Sequence, residues 1–149
     1  MSQRQVDFSV LHQSQKILST NHANAIVSGD SNSDSLVVAT DVGYPILVNF
    51  RQESIRTFQN PKNMKFSTPT AIGINQHSDI IVTGHSDGML NIFSVKDNYS
   101  LIKSFKELHK SAITAIGFCS KNNDFYVGDA SGLTTRVSFG KIGKIVTNI

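Results

Sequence analysis

The sequence predicts an all-β protein, and two observations carry this prediction. Its apolar runs are short, rich in Ile, Val and Phe, and interrupted by Gly and Asn, which is typical of strands rather than helices. The segment Thr70–Val95 also repeats as Thr114–Phe139 without a gap, 44 residues further along the chain. A period in the forties is typical of an array of small sheets.

A more degraded copy of the same unit covers Asn24–Phe50, with Gly43 in place of Gly88 at a spacing of 45 residues. Residues 1–20 have no counterpart in the repeat and are predicted to be a lead-in segment. The sequence therefore predicts three repeat units in one domain, at residues 21–60, 66–106 and 109–149.

The second unit contains the signals for four strands. In the second unit the apolar runs "AIGI", "IIVTG", "MLNIFSV" and "YSLIKSF" are separated by turn sequences such as "NQHSD" and "HSDG". The third unit repeats this order with "FYVG", "DASG" and "LTTRVSF". Four strands in forty-odd residues is the size of one propeller blade, so the fold is predicted to be a partial β-propeller of about three blades.

Two turns are predicted to be tight hairpins. Asp87-Gly88 and Ser131-Gly132 each lie between two apolar runs. Hairpin turns that match the twist of their strands need a positive φ, which glycine adopts without strain. Gly88 and Gly132 are therefore expected at positive φ, between the second and third strands of their units.

Seven apolar side chains are predicted to lie between blades, because each blade buries its faces against its neighbours. A charge at any one of them is expected to destabilise the fold, since it would be buried without a partner. The seven are Ile72, Ile74, Ile81, Ile92, Ile113, Ile116 and Phe118.

Composition excludes several classes of protein. With 39% hydrophobic and 17% charged residues, the chain is too apolar for a disordered protein. The lone Cys119 cannot form an internal disulfide and favours a reducing compartment. No apolar run approaches the ~20 residues of a membrane span, and the polar N-terminus does not resemble a signal peptide. We therefore expect a soluble intracellular protein.

The formal net charge of +3 is concentrated in the second half of the chain. The basic clusters are "PKNMKF", "LIKSFKELHK" and "GKIGKIVTNI". These clusters could face an anionic membrane or a polyanion. They could also be solvated loop lysines, since each cluster is short and Glu107 interrupts the second. Nucleic-acid binding is disfavoured, because no stacking aromatic residues are interleaved with the lysines.

No catalytic, cofactor-binding or metal-binding residue is predicted, and the chain is not expected to be an enzyme. His12, His22, His77, His85 and His109 do not make a metal-ligand spacing. His85, two residues before Asp87, is interpreted as a polar turn residue. The remaining candidate acids are also interpreted as turn residues, and they are Asp79, Asp87, Asp124 and Asp129.

Two segments resemble the WD-repeat family. "LHKSAITAIGF" is similar to the family's Gly-His opening and buried strand, with His109 on the histidine position and Leu108 in place of the glycine. "VTGHSDGMLNIFSV" resembles the part that ends in Trp-Asp, with Phe93-Ser94 replacing that dipeptide. The chain has no Trp, so the family's network of His, Ser, Asp and Trp cannot be complete.

The order of all three units resembles the N-terminal propeller of the vacuolar protein sorting-associated protein 8 family, subunits of the CORVET endosomal tethering complex. The segments concerned include "SLVVATDVGYPILVNF" and the Gly-Asp-x-x-Gly turn that leads into "VSFGK". This resemblance implies a scaffold in endosome-to-vacuole transport, peripheral to the early endosome membrane. The implied partners are other tethering subunits and a Rab-type GTPase.

Two alternatives remain open from the sequence. One is a WD-repeat scaffold in another pathway, such as RNA processing or ubiquitin ligation. The other is direct binding of anionic lipid by the basic second half. Three blades also leave exposed strand edges, so the chain is expected to be a fragment or partial gene product whose middle unit is the best ordered.

Overall fold

The computed structural model describes residues 25–41, 44–59, 65–138 and 145–148. Within these ranges the chain forms twelve strands and no helix. The strands make three four-stranded antiparallel sheets, each running in chain order from one edge to the other. The prediction of an all-β, partial β-propeller is therefore confirmed.

Each sheet is one blade. The first blade contains β1 (Ile26–Ser31), β2 (Ser35–Thr40), β3 (Pro45–Asn49) and β4 (Ser54–Thr57). The second contains β5 (Pro69–Ile74), β6 (Ile80–His85), β7 (Leu90–Ser94) and β8 (Ser100–Phe105). The third contains β9 (Ile113–Phe118), β10 (Phe125–Asp129), β11 (Thr134–Val137) and β12 (Ile145–Asn148). The first strands of the three blades, β1, β5 and β9, lie side by side.

The three inner strands share one irregularity. The ladder between the first and second strands skips one residue of the inner strand, and this residue is Val27, Thr70 or Thr114. Ile26, Pro69 and Ile113, each just before the skipped residue, therefore occupy equivalent positions. A conserved place for such a bulge gives the three blades a common register.

The two predicted hairpins are confirmed. Gly88 and Gly132 have φ of 87° and 89°. The first turn is closed by a 3.0 Å hydrogen bond from the His85 N–H to the Met89 carbonyl, and the second by the corresponding 3.0 Å bond from Asp129 to Leu133. The turns join β6 to β7 and β10 to β11, as the repeat register predicts.

Two apolar clusters join the blades. The cluster between the first and second blades includes Val37, Leu47, Phe58 and Phe93, and the cluster between the second and third includes Val82, Leu90 and Val127. All seven predicted side chains belong to these contacts. Ile72, Ile74 and Ile81 lie in the first cluster, Ile92 and Ile113 lie in the second, and Ile116 and Phe118 pack half-buried against the second.

A short segment after β4, which we name the clasp (Phe58 and Gln59), links the first blade to the outer strand of the second. The fully buried Phe58 ring lies edge-on to Phe93, with 5.6 Å between centroids, and to Tyr99 at 5.4 Å. The Gln59 N–H donates to the Tyr99 carbonyl at 2.9 Å, and Gln59 pairs with Ser100 in a parallel bridge. Phe93 lies where the resemblance to the WD-repeat family places a Trp, and its ring meets an aromatic ring from the preceding blade.

Burial is greatest in the second blade. Every residue of β6 and β7 is buried, whereas most of β9 is exposed or half-buried. The second blade is covered on both faces because it lies between two others, and the sites described below are positioned by it.

Candidate binding surface between the second and third blades

The hairpin between β6 and β7 and the linker between β8 and β9 meet at one end of the sheets. They enclose a cleft of about 540 Å³, which we name the loop cleft. A second hollow of about 380 Å³ adjoins it along residues 103–108. The residues that line the loop cleft are Asp87, Lys106, Glu107, His109 and Lys110.

The base of the loop cleft is a buried hydrogen bond between His109 and Asp129. The His109 side chain is fully buried, and its Nδ1 donates to Asp129 Oδ2 at 2.8 Å. Asp129 Oδ1 accepts from the Ser131 N–H at 2.9 Å, the Ser131 hydroxyl at 2.6 Å and the Leu133 N–H at 3.1 Å. Bonds from Ser131 and His109 lower the pKa of Asp129 to about 2.

This pair holds the linker rather than supplying reactive groups. Both Asp129 oxygens already accept hydrogen bonds, so its carboxylate has little capacity to serve as a base. His109 Nε2 is buried and has no hydrogen-bond partner among the described residues. The pair thus attaches the linker to the hairpin of the third blade. Lys106 and Lys110 are exposed on that linker.

His85 is also structural, and the interpretation of it as a polar turn residue is incomplete: its backbone closes the hairpin turn, but its side chain is buried. It ends β6 and is fully buried. Its Nδ1 donates to the Ser67 carbonyl at 2.7 Å, so its Nε2 accepts from the Thr83 hydroxyl at 2.9 Å and from Asn91 at 3.2 Å. Burial lowers the pKa of His85, and the neutral ring satisfies all of these bonds.

The predicted turn role holds for Asp79 and Asp87 but is incomplete for Asp124. Asp87 Oδ1 accepts from the Met89 N–H at 3.1 Å within its hairpin. Asp79 accepts from Asn75 at 2.6 Å and pairs with Lys96 at 2.9 Å. Asp124 is instead buried and bonded to β11 and to the residue after it.

The partners of Asp124 come from β11 and from the residue after it. Arg136 lies 2.6 Å from Asp124 Oδ2, and the Ser138 hydroxyl donates to Oδ1 at 2.9 Å. Asp124 and Arg136 are twelve positions apart, and no turn motif links them in the sequence. Sequence reasoning therefore missed this contact.

At the opposite end of the sheets, asparagine side chains connect all three blades. Asn32 Nδ2 donates to the Asn75 carbonyl at 2.9 Å and to the Ser78 hydroxyl at 2.7 Å. Asn75 Nδ2 donates to Asn123 Oδ1 at 2.8 Å. A hollow of about 370 Å³ lies beside these turns, between the ends of β1, β5 and β9. The sequence placed Asn75 in a turn, within "NQHSD", but did not predict contacts between the turns.

Within the described ranges, no group of three or more His, Cys, Asp or Glu side chains could hold a metal ion. In the same ranges no helix is long and apolar enough to cross a membrane. His12, His22 and most of the basic clusters "PKNMKF" and "GKIGKIVTNI" lie outside the described residues. The loop cleft therefore presents the second basic cluster, "LIKSFKELHK", all of which the structure describes.

The chain is similar to one curated protein over most of its length. It is 25% identical over 113 residues to nuclear pore complex protein nup43 of Dictyostelium discoideum. The match covers 73% of this chain and 26% of the relative, so the chain spans about a quarter of that protein.

A family described as the Vps8 beta-propeller matches residues 9–147. This match includes all three blades and nearly the whole sequence. The register, the hairpins and the inner-strand bulge described above repeat across the same residues. The chain therefore belongs to the Vps8 beta-propeller family.

Proposed function

We propose that the chain is a non-catalytic scaffold of a CORVET-type tethering complex, acting in transport from endosomes to the vacuole or lysosome. The membership in the Vps8 beta-propeller family carries this proposal. Its partners would be other tethering subunits and a Rab-type GTPase, and it would lie in the cytoplasm at the early endosome membrane. The fold supports a role in binding, because the β-propeller displays loops on a rigid scaffold.

The loop cleft is the proposed partner-binding site. Lys106 and Lys110 are exposed on a linker that the His109–Asp129 pair holds in place. Exposed cationic side chains beside a concave surface favour an acidic segment of a partner, both in steering and in specificity. The carboxylates of Asp87 and Glu107 also line the cleft, so its charge is mixed. A partner that placed an acidic group beside these carboxylates would be repelled.

The test is affinity purification of the tagged protein from cells, with wild type compared with a Lys106→Glu/Lys110→Glu variant. Tethering subunits should copurify with wild type, and their recovery should fall at least about tenfold for the variant, since charge reversal makes the contact repulsive. A matched control is Lys65→Glu/Lys121→Glu, which makes the same charge change at exposed residues outside the cleft. This control should behave as wild type.

Imaging against early-endosome and nuclear markers separates the proposal from its alternative. An endosomal location with tethering subunits in the purified material supports it. A nuclear or nuclear-rim location without those subunits rejects it, and favours a WD-repeat scaffold in another assembly. The similarity to a nuclear pore complex protein makes that outcome the specific alternative to look for.

A further inference from the structure

Three glycines of the second blade mark where the third blade packs against it. A Cβ added at Gly73 would lie 2.7 Å from Ile116 Cγ2, and one at Gly84 would lie 2.3 Å from Ile113 Cγ2. A Cβ added at Gly88 would lie 2.3 Å from the His109 carbonyl oxygen. The third blade therefore occupies the space that side chains at these positions would fill.

The third blade repeats the same three glycines on its own far face. Gly117, Gly128 and Gly132 follow Gly73, Gly84 and Gly88 by 44 residues each. Among the described residues, nothing lies within 4 Å of a Cβ added at any of the three. We name this surface, made by Thr114, Gly117, Gly128 and Gly132, the open face.

A threonine accompanies the glycines in both blades. Thr70 Oγ1 donates to the Gly84 carbonyl at 3.3 Å and to the Ile113 carbonyl of the third blade at 2.5 Å. Thr114 donates in the same way to the Gly128 carbonyl at 3.3 Å, and it is exposed. The open face thus carries the features by which the second blade receives an inner strand.

The first blade offers an inner strand that matches. Ile26 occupies the position of Ile113, because both precede the skipped residue of their ladders. The sequence His-x-x-Ala-Ile stands at residues 22–26 and again at residues 109–113. Ile113 is fully buried over Gly84, whereas Ile26 is 46% exposed and the adjacent Val27 is 40% exposed.

We propose that the open face of one copy binds the inner strand β1 of a second copy, with Ile26 seated over Gly128. The contact continues the interface between the second and third blades. In that interface the inner strand β9 is also the element that lies against β5 and β6. Two chains joined at both ends would supply six blades, within the usual range of four to eight, and a ring closes when each chain uses both surfaces.

One position predicts how the contact can be strengthened. Gly29 occupies the place of Ile116 and would leave Gly117 without a side chain opposite it. A Cβ at Gly29 makes only ordinary contacts within its own blade, the nearest 3.4 Å from the Val37 carbonyl oxygen. Gly29→Ile should therefore fold and should tighten the association.

The test is sedimentation of the purified 149-residue chain over a range of concentrations. Wild type should form a dimer as concentration rises. Ile26→Asp and Gly128→Val should each raise the dissociation constant at least about tenfold, since one buries a charge and the other fills the seat. Ile55→Asp is the matched control, because Ile55 is 42% exposed on β4 of the first blade and lies outside the contact.

Mixing the two disrupted variants gives an independent readout. The Ile26→Asp chain retains its open face and the Gly128→Val chain retains its β1, so the mixture should recover one of the two contacts. A chain that stays monomeric at every concentration overturns the proposal, as does association that both variants leave unchanged. If wild type forms oligomers larger than a dimer and either variant abolishes them, the contact between copies is supported. The closed ring of two chains is then overturned. Purified chain suffices, so this result is independent of the proposed trafficking role.

Discussion

The second and third blades share their strand order, inner-strand bulge and hairpin, yet equivalent residues meet different surroundings. Val82 is fully buried in the cluster between the blades, and Tyr126, 44 positions later, is 38% exposed. The two differ because the second blade has a neighbour on that face among the described residues and the third does not. The energetic role of a repeat position is therefore decided by the next blade rather than by the repeat itself.

The largest expected difference between the blades comes from placing a charge at these two positions. Val82→Asp should lower the free energy of unfolding by about 4 kcal/mol, because the carboxylate would be buried without a partner. Tyr126→Asp should change it by less than about 1 kcal/mol, because the side chain is already partly in water. Urea denaturation followed by circular dichroism measures both, and equal losses would contradict the comparison.

The two hairpin glycines separate backbone strain from packing. Gly88 and Gly132 share a positive φ, but only Gly88 has the third blade's linker against it. Gly132→Ala should cost about 1 kcal/mol of stability from strain alone. Gly88→Ala should cost about 3 kcal/mol, since overpacking against a backbone carbonyl adds to the same strain.

The measurement is again the free energy of unfolding in urea. Hydrogen exchange of the His85 and Asp129 N–H groups, which close the two turns, serves as a local check. A Gly132→Ala cost as large as that of Gly88→Ala would mean that strain rather than packing dominates both turns.

The smallest expected effect is a difference in pH dependence between the two blades. His85 has a pKa lowered by burial, so stability should fall as the pH drops below about 6.5, where the unfolded chain binds the proton first. Asp129 has a folded pKa of about 2, so its contribution is present above the unfolded value of about 3.9 and is lost as the pH falls toward 2.

Stability measured from pH 7.5 to pH 2.5 in about half-unit steps should resolve the two windows. His85→Gln should flatten the curve between pH 5 and about 6.5, and Asp129→Asn should flatten it below about 4. A curve whose slope near pH 6 survives His85→Gln would assign that slope to another group.

Much of the fold could be predicted because the signals are local or periodic. The Asp87-Gly88 and Ser131-Gly132 turns require positive φ, and their spacing fixed the register of the second and third blades. The seven predicted inter-blade side chains also follow from this register. Such signals depend on residues close in sequence, or on one repeat length.

The missed contacts depend on residues brought together by the fold. His85 was interpreted as a turn residue, although its ring also bonds to the Ser67 carbonyl before β5 and to Asn91 on β7. Asp124, just before β10, pairs with Arg136 on β11, and the Asn32, Asn75 and Asn123 side chains join turns of three different blades. The loop cleft could be predicted only as a basic segment, because its concave shape requires the hairpin and the linker to meet.

The clasp after β4 has a consequence for how the chain opens. Gln59 forms its bridge with the outer strand of the second blade, and Phe58 lies between rings that belong to that blade. Opening the first blade alone would therefore expose the Phe93 and Tyr99 rings to solvent. It would also break the hydrogen bond from the Gln59 N–H to the Tyr99 carbonyl. Slowly exchanging amides of β2, β3, β6 and β7 should consequently lose protection together, as one cooperative unit of two blades, while those of β10 and β11 follow a separate and less costly opening.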